Sequence, residues 1–342
     1  NIFAHLCYNM TTNKIIAHNS ALELIGNTPL VKLNRITKKF KGNFFAKVEA
    51  FNPGHSNKDR IALHIIEQAE KKGILKPGNT IIETTSGNTG YSLAMVSIIK
   101  GYECILAVTS KSSPDKIDML RSMGAKVYVC PGHVSADDPR SYYQVAKRLS
   151  DEIEGSIYIN QYFNELNTEA HYLTTGPEIW EQTDGKIDGF VCASGTGGTI
   201  GGISSYLKEK NNKIKIYLSD PTGSALYNYI QNGELKSEGG SITEGIGSSR
   251  ITKNFAEAKI DGAFSISDNE SLPILYNLIQ NEGLSLGTSC GVNIAGAIRL
   301  GKELGPGKTI VTILCDKSDK YNSKLFNKKF LQEKGLPYPN WI

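Results

Sequence analysis

Two hydrophobic rhythms alternate along this chain. The short runs NTIIET (79–84), ECILAVT (103–109), KVYVC (126–130) and SIYIN (156–160) read as strands. Between them the apolar residues fall three and four apart, the helical period, in YSLAMVSIIK (91–100), SPDKIDMLRSMG (113–124, closed by Gly124) and DPRSYYQVAKRLSDEI (138–153). The alternation resumes with strand IDGFVCAS (187–194), a helix through ISSYLKEK (203–210) and strand KIKIYLS (213–219). Helices SLPILYNLIQNEG (271–283) and NIAGAIRLGKEL (293–304) and strand TIVTILC (309–315) complete it, while NGELKSEGGSITEGIGSSR (232–250) reads as a loop. Such alternation predicts α/β architecture with largely parallel sheets, whose ligands sit beyond the carboxyl ends of the strands.

Composition narrows the function classes. At 342 residues, 39% hydrophobic and 21% charged, the chain is long enough for about two domains with large cores. A net charge of +4, scattered without a basic block, argues against a nucleic-acid or membrane-surface partner. No apolar run reaches the roughly 18 residues of a membrane span. The opening NIFAHLCYNM is a poor signal peptide. The six cysteines contain no C-x-x-C pair, which points to buried, reduced thiols in a cytoplasmic protein and away from zinc.

Four stretches carry chemistry. In NPGHSNKDRIALHIIEQAE (52–70) a turn becomes a helix, and Ser56 and Asp59 form a start signal that predicts Ser56 as N-cap and Lys58 as the second helical residue. Ile61, Ala62, Ile65, Ile66 and Ala69 form the apolar stripe, and Lys58 lies on its extension. Either the lysine snorkels to solvent, or it is desolvated beside the positive helix end, with the depressed pKa that suits a Schiff base. Thr85, Ser86, Gly87, Asn88 and Thr89 lie between a strand and a helix, as a capped turn or as a nest for a carboxylate or phosphate. Gly195, Thr196, Gly197, Gly198 and Thr199 repeat the arrangement with glycines that let an anion approach. No G-K-[ST] follows, so this is not a P-loop. With Asp220 it offers a nicotinamide-dinucleotide reading, weakened by Ile200 at the third glycine position. In LGTSCGVNIAGA (286–297), Ser289 and Cys290 both present polar groups, Cys290 as a conceivable nucleophile.

Together these residues resemble the cysteine synthase (O-acetylserine sulfhydrylase) and cystathionine β-synthase family of fold-type II pyridoxal phosphate (PLP) enzymes. The motifs are IGNTPLVKL, NPGHSNKDRIA, TTSGNTG, QYFNELNTEAHYLTTGPEIW, GTGGTIGG, EGIGSSRI and EGLSLGTSCG, in order from about Ser20 to the C-terminus. The resemblance implies a fold like the tryptophan synthase β chain: two open α/β domains, with PLP in the cleft between them. The smaller, mobile domain would be 48–163, and 10–47 with 164–342 the larger, phosphate-binding one. Lys58 matches the lysine that forms the internal aldimine, residues 195–199 the phosphate loop, Asn88 the contact to the PLP 3′ oxygen and Ser289 the hydroxyl facing the pyridine nitrogen. Thr85, Ser86, Gly87 and Thr89, joined by Gln161, match the loop that holds the substrate α-carboxylate. The implied chemistry is β-replacement: Lys58, displaced from PLP by the substrate amine, removes the α proton, acetate leaves and sulfide adds. An amino-acid substrate, a homodimer and docking by a serine acetyltransferase tail are also implied.

The chain departs from the family pattern at four places. Asn57 replaces a small apolar residue, His55 a glycine, and Ser318 and Lys320 stand at the glycine and arginine of a D-x-G-x-R-Y motif. Alternatives are therefore a cystathionine β-synthase core joining serine to homocysteine, and a weakened paralogue kept as a binding or sensor protein. His55 is either a turn residue or an extra acid/base.

Overall fold

The computed structural model describes residues 17–342, so the opening decapeptide lies outside the described residues. The chain begins with β1 (Leu30–Lys32), β2 (Asn43–Val48) and α1 (Lys58–Lys71). Strand–helix units follow: β3 (Thr80–Thr84), α2 (Asn88–Lys100), β4 (Glu103–Thr109), α3 (Pro114–Ser122), β5 (Lys126–Cys130), α4 (Tyr142–Glu152) and β6 (Ile157–Tyr158). Helix α5 (Leu166–Ala170) runs through a π turn at His171–Thr175 into α6 (Gly176–Gln182). Then come β7 (Gly189–Cys192), α7 (Gly198–Lys210), β8 (Lys215–Pro221), α8 (Leu226–Asn232), α9 (Lys253–Ala256), β9 (Gly262–Ile266), α10 (Asp268–Asn277), α11 (Thr288–Leu304) and β10 (Thr309–Leu314). Two short helices, α12 (Asn322–Leu325) and α13 (Lys328–Glu333), follow.

The strands sort into two sheets. One has the order β5-β4-β3-β6, all parallel; the other is β1-β2-β10-β7-β8-β9, parallel except for β1, which runs antiparallel to β2 at its edge. Covered parallel strands need apolar side chains on both faces. β3 is buried at every position, and Leu93, Val96, Leu106 and Leu120 pack with Ile61 and Ile65 of α1 in one core. Val191, Ile294, Leu300 and Ile310 anchor the core between the larger sheet and α11.

Several boundaries differ from the hydrophobic pattern. Ser141 caps α4 by accepting from the Gln144 N–H at 3.3 Å, so that helix starts at Tyr142 and not near Asp138. The segment expected as one helix over 271–283 starts earlier, at Asp268, and passes into a π turn at Leu278–Glu282. No regular element lies between α8 and α9, as the loop-like composition of 232–250 suggests. No helix among the described residues is long and apolar enough to cross a membrane.

Candidate active site

The carboxyl ends of β3, β4, β7 and β10 converge on one cavity of about 380 Å³ between the two sheets. Lys58 stands on its wall. The turn that carries it is pinned to the end of β10, where the Asn57 N–H donates to the Cys315 carbonyl at 3.1 Å and Ser56 bridges Asp316. The helix start differs from the S-x-x-D reading. Asn57 is the N-cap residue and Lys58 the first helical one; the Ser56 hydroxyl accepts from the Lys58 N–H at 3.3 Å. The Asp59 carboxylate turns away, to the Gly54 N–H at 2.6 Å and the Ser92 hydroxyl at 2.5 Å. The Lys58 amine faces the cavity, and burial pushes its pKa down against the opposing pull of Cys315 and Asp316. The desolvated reading of this lysine is therefore the one realised.

Three helices begin at the cavity with no side-chain cap: α2 after Thr85–Gly87, α7 after Gly195–Gly197 and α11 at Thr288. Their first amides have no partner within the helix and lie at the positive end of its dipole, so they suit anionic groups. Gly197 has φ +90, and a Cβ there would come within 2.3 Å of the Phe255 nitrogen, so only glycine makes this turn. Thr85, Ser86, Gly87, Asn88, Thr89, Gln161, Gly195, Thr196, Gly197, Thr199 and Ser289 all line the cavity. Gly198 is buried behind them, packed on Asn167. Thr89 donates to Gln161 at 2.8 Å, which joins two of the residues matched to substrate carboxylate binding.

Asn88 is held at both ends. Its amide nitrogen donates to Asp316 at 2.8 Å, and Lys320 donates to its oxygen at 2.6 Å. Lys320 also lies 5.2 Å from the Tyr91 ring centre. Ser318 is buried against Ser285 at 2.6 Å. Burial pushes the Asp316 carboxyl up, and its Oδ1 has no hydrogen-bond partner among the described residues; neither has the buried Ser194 hydroxyl, also on the cavity wall. The unpartnered Ser194 hydroxyl beside a cavity with three uncapped helix ends fits a polar, phosphate-bearing ligand such as PLP.

Other readings find no support in the geometry. Cys290 is 0% exposed, outside the cavity lining, with its thiol pushed far up by burial, so it is no nucleophile. Burial pushes Cys315 up to about 11, so it too stays protonated. Asp220 accepts from the Tyr227 N–H at 2.7 Å at the start of α8, away from the cavity, which removes the ribose-binding role. His55 sits in the turn at φ 63 and does not line the cavity. Among the described residues the cysteines at 104, 130, 192, 290 and 315 are free. Sequence reasoning assigns no role to Asp316 and Tyr321, the two ends of the D-x-G-x-R-Y stretch, to Glu244, which opens EGIGSSRI, or to Lys116 of α3, although all four line the cavity.

The family model described as pyridoxal-phosphate dependent enzyme matches residues 21–316. Cysteine synthase 1 of Emericella nidulans is 45% identical over 323 residues, covering 93% of this chain and 87% of that protein. Cystathionine beta-synthase of Rattus norvegicus is 43% identical over 317 residues, 92% of this chain but 56% of that longer protein. Among solved structures, an O-acetylserine dependent cystathionine beta-synthase from Helicobacter pylori superposes with a TM-score of 0.81 at 33% identity, covering 91% of this chain and 99% of that one.

Proposed function

Because the chain belongs to the pyridoxal-phosphate dependent enzyme family, we propose that it uses PLP for β-replacement on an amino acid, making cysteine from O-acetylserine and sulfide. The observation that carries this reading is the Lys58 amine, its pKa pushed down by burial, on the wall of a cavity ringed by three uncapped helix starts. Bound PLP supplies a carbonyl carbon for linkage to an amine and a ring that withdraws electrons from the substrate's α carbon. The amides and hydroxyls of residues 195–199 would hold its phosphate, Ser289 would face its ring nitrogen and Asn88 its 3′ oxygen. Lys58 would anchor it and, once free, take the α proton of the substrate. Thr85, Ser86, Gly87, Thr89 and Gln161 would hold the substrate carboxylate at the start of α2. Residues 48–163 would close over it as the smaller domain and exclude water.

A second reading, cystathionine synthesis, draws support from the rat relative and the Helicobacter pylori structure named above. The departures at Asn57, His55, Ser318 and Lys320 leave room for a weakened member kept for binding. A homodimer, a cytoplasmic location and a docked serine acetyltransferase tail belong to the same proposal. The visible spectrum of the purified protein with PLP tests it. A band absent in Lys58→Ala that shifts on adding O-acetylserine, with cysteine formed from sulfide, supports the first reading. A band that responds to serine and homocysteine alone selects the second, and a band that ignores every substrate leaves the binding protein. No band with PLP supplied overturns the cofactor assignment.

A further inference from the structure

Asn57 stands where the family pattern has a small apolar residue, and its amide does not cap α1. It is 4% exposed and makes two hydrogen bonds in opposite directions. Its oxygen accepts from the Lys58 amine at 3.2 Å, and its nitrogen donates to the Thr199 hydroxyl at 3.1 Å. The orientation of the amide follows from its neighbours: a flipped amide would set two donors, the Asn57 nitrogen and the Lys58 amine, against each other. Asn57 is the one hydrogen-bond partner of the Lys58 amine among the described residues. The chain of contacts continues, since Thr199 Oγ1 lies 3.1 Å from His171 Nε2 and His171 Nδ1 lies 2.8 Å from Thr175 Oγ1. Burial and the nearby Arg60 push His171 down to about 3, so its ring is neutral at ordinary pH and serves as a fixed hydrogen-bonding group.

We propose that Asn57 is a positioning residue that holds the Lys58 amine when it is free of cofactor and couples that position to Thr199 in the phosphate-binding loop. The proposal rests on the PLP reading above. The Asn57 oxygen gives the amine a fixed resting place on the cavity wall. It favours the protonated amine, which has more N–H to donate, and so offsets part of the burial that disfavours charge. The Asn57 N–H occupies one lone pair of the Thr199 oxygen, and in the His171 tautomer with its proton on Nε2 the ring fills the other, which leaves the hydroxyl's own proton to point at a phosphate. A valine or alanine provides neither function. The other titratable groups near the lysine are Cys315 and Asp316 after β10, Cys192 on β7, Glu49 after β2 and the neutral His171, and a substitution at Asn57 removes none of them.

The test is titration of the protein with PLP, and separately with pyridoxal, followed by the visible band from pH 6 to 10. Asn57→Val is expected to move the pH midpoint of band formation downward. It should also weaken PLP about five- to tenfold relative to pyridoxal, the effect of one lost neutral hydrogen bond. Asn57→Asp keeps an acceptor for the amine and adds charge, so the midpoint moves upward, while the preference for PLP over pyridoxal still falls. Far-ultraviolet circular dichroism of both variants establishes that they are folded. An unchanged midpoint in both variants, or an unchanged ratio of PLP to pyridoxal affinity, overturns the proposal and makes Asn57 a packing residue. A wild-type protein that binds PLP but makes no cysteine refutes the proposed reaction and leaves this test intact. One that binds no PLP refutes the cofactor assignment itself.

Discussion

His55 holds a backbone conformation, φ 63, that glycine reaches at lower cost. A side chain there costs about 1–2 kcal/mol, against which glycine's greater freedom in the unfolded chain costs about 0.5–1 kcal/mol. His55→Gly is therefore expected to stabilise the protein by about 0.5–1 kcal/mol and to raise the thermal midpoint, with the PLP band unchanged because the ring lies outside the cavity lining. A lower midpoint would mean that contacts of the half-buried ring outweigh the strain. At this scale the sequence is partly transparent. The stripe of Ile61, Ala62 and Ile65 shows which side of the helix Lys58 occupies, because helical periodicity is local. A histidine gives no sign of positive φ, and the choice between Ser56 and Asn57 as cap depends on where Asp59 finds partners, one of them Ser92.

Helix α1 is moored by a charge cluster that local pattern does not reveal. Arg60 lies between Glu49, at 2.7 Å, and Glu178, at 2.6 Å, and Lys47 reaches Glu178 at 2.5 Å. Burial pushes Glu49 up, but the Arg60 guanidinium outweighs it and holds the carboxyl at about 2. A depressed carboxyl pKa contributes stability that is present above the unfolded value of 4.5 and is lost as pH falls from there toward about 2. Arg60→Met strands Glu49 in the interior and is expected to cost about 3–5 kcal/mol in urea unfolding at pH 7. The double variant Arg60→Met/Glu49→Gln should recover most of that loss, since no buried charge is then left unpaired. A single variant within about 1 kcal/mol of wild type would mean that water reaches Glu49. The same cluster explains why β2 escapes a pattern reading. Lys47 in NFFAKV suggests solvent, yet it is 0% exposed because its partner arrives from Glu178 on a distant helix. β9, GAFSI, is short and opens on glycine, so its pairing with β8 supplies what its own pattern lacks. β4 and β10 are legible because their central apolar runs, buried on both faces, leave a continuous signature.

Across the whole molecule the two sheets meet at the cavity mouth through a few polar links. Lys116 on α3, beside the four-stranded sheet, pairs with Glu244 in the long loop before α9, and Lys324 holds the same carboxylate at 2.7 Å. Asn88 makes another crossing, to Asp316 and Lys320. Such crossings join residues more than a hundred positions apart, which is why the Gly, Ser and Thr loops of the site are readable in the sequence and its rim is not. If residues 48–163 close as a body over the substrate, the Lys116–Glu244 pair favours the closed form. A partly exposed ion pair is worth about 0.5–1 kcal/mol, so Lys116→Met should weaken O-acetylserine binding about two- to fivefold. PLP affinity should stay unchanged, because the lysine lies at the rim and the cofactor loop lies on the other sheet. Raising salt should weaken substrate binding in the wild type toward the level of the variant, and should affect the variant less, since screening acts on a pair that the variant lacks. Equal salt dependence in the two proteins would assign the effect to substrate charge alone. An unchanged affinity in Lys116→Met would mean that closure, where it occurs, is driven by the substrate carboxylate at the start of α2 and draws nothing from this bridge.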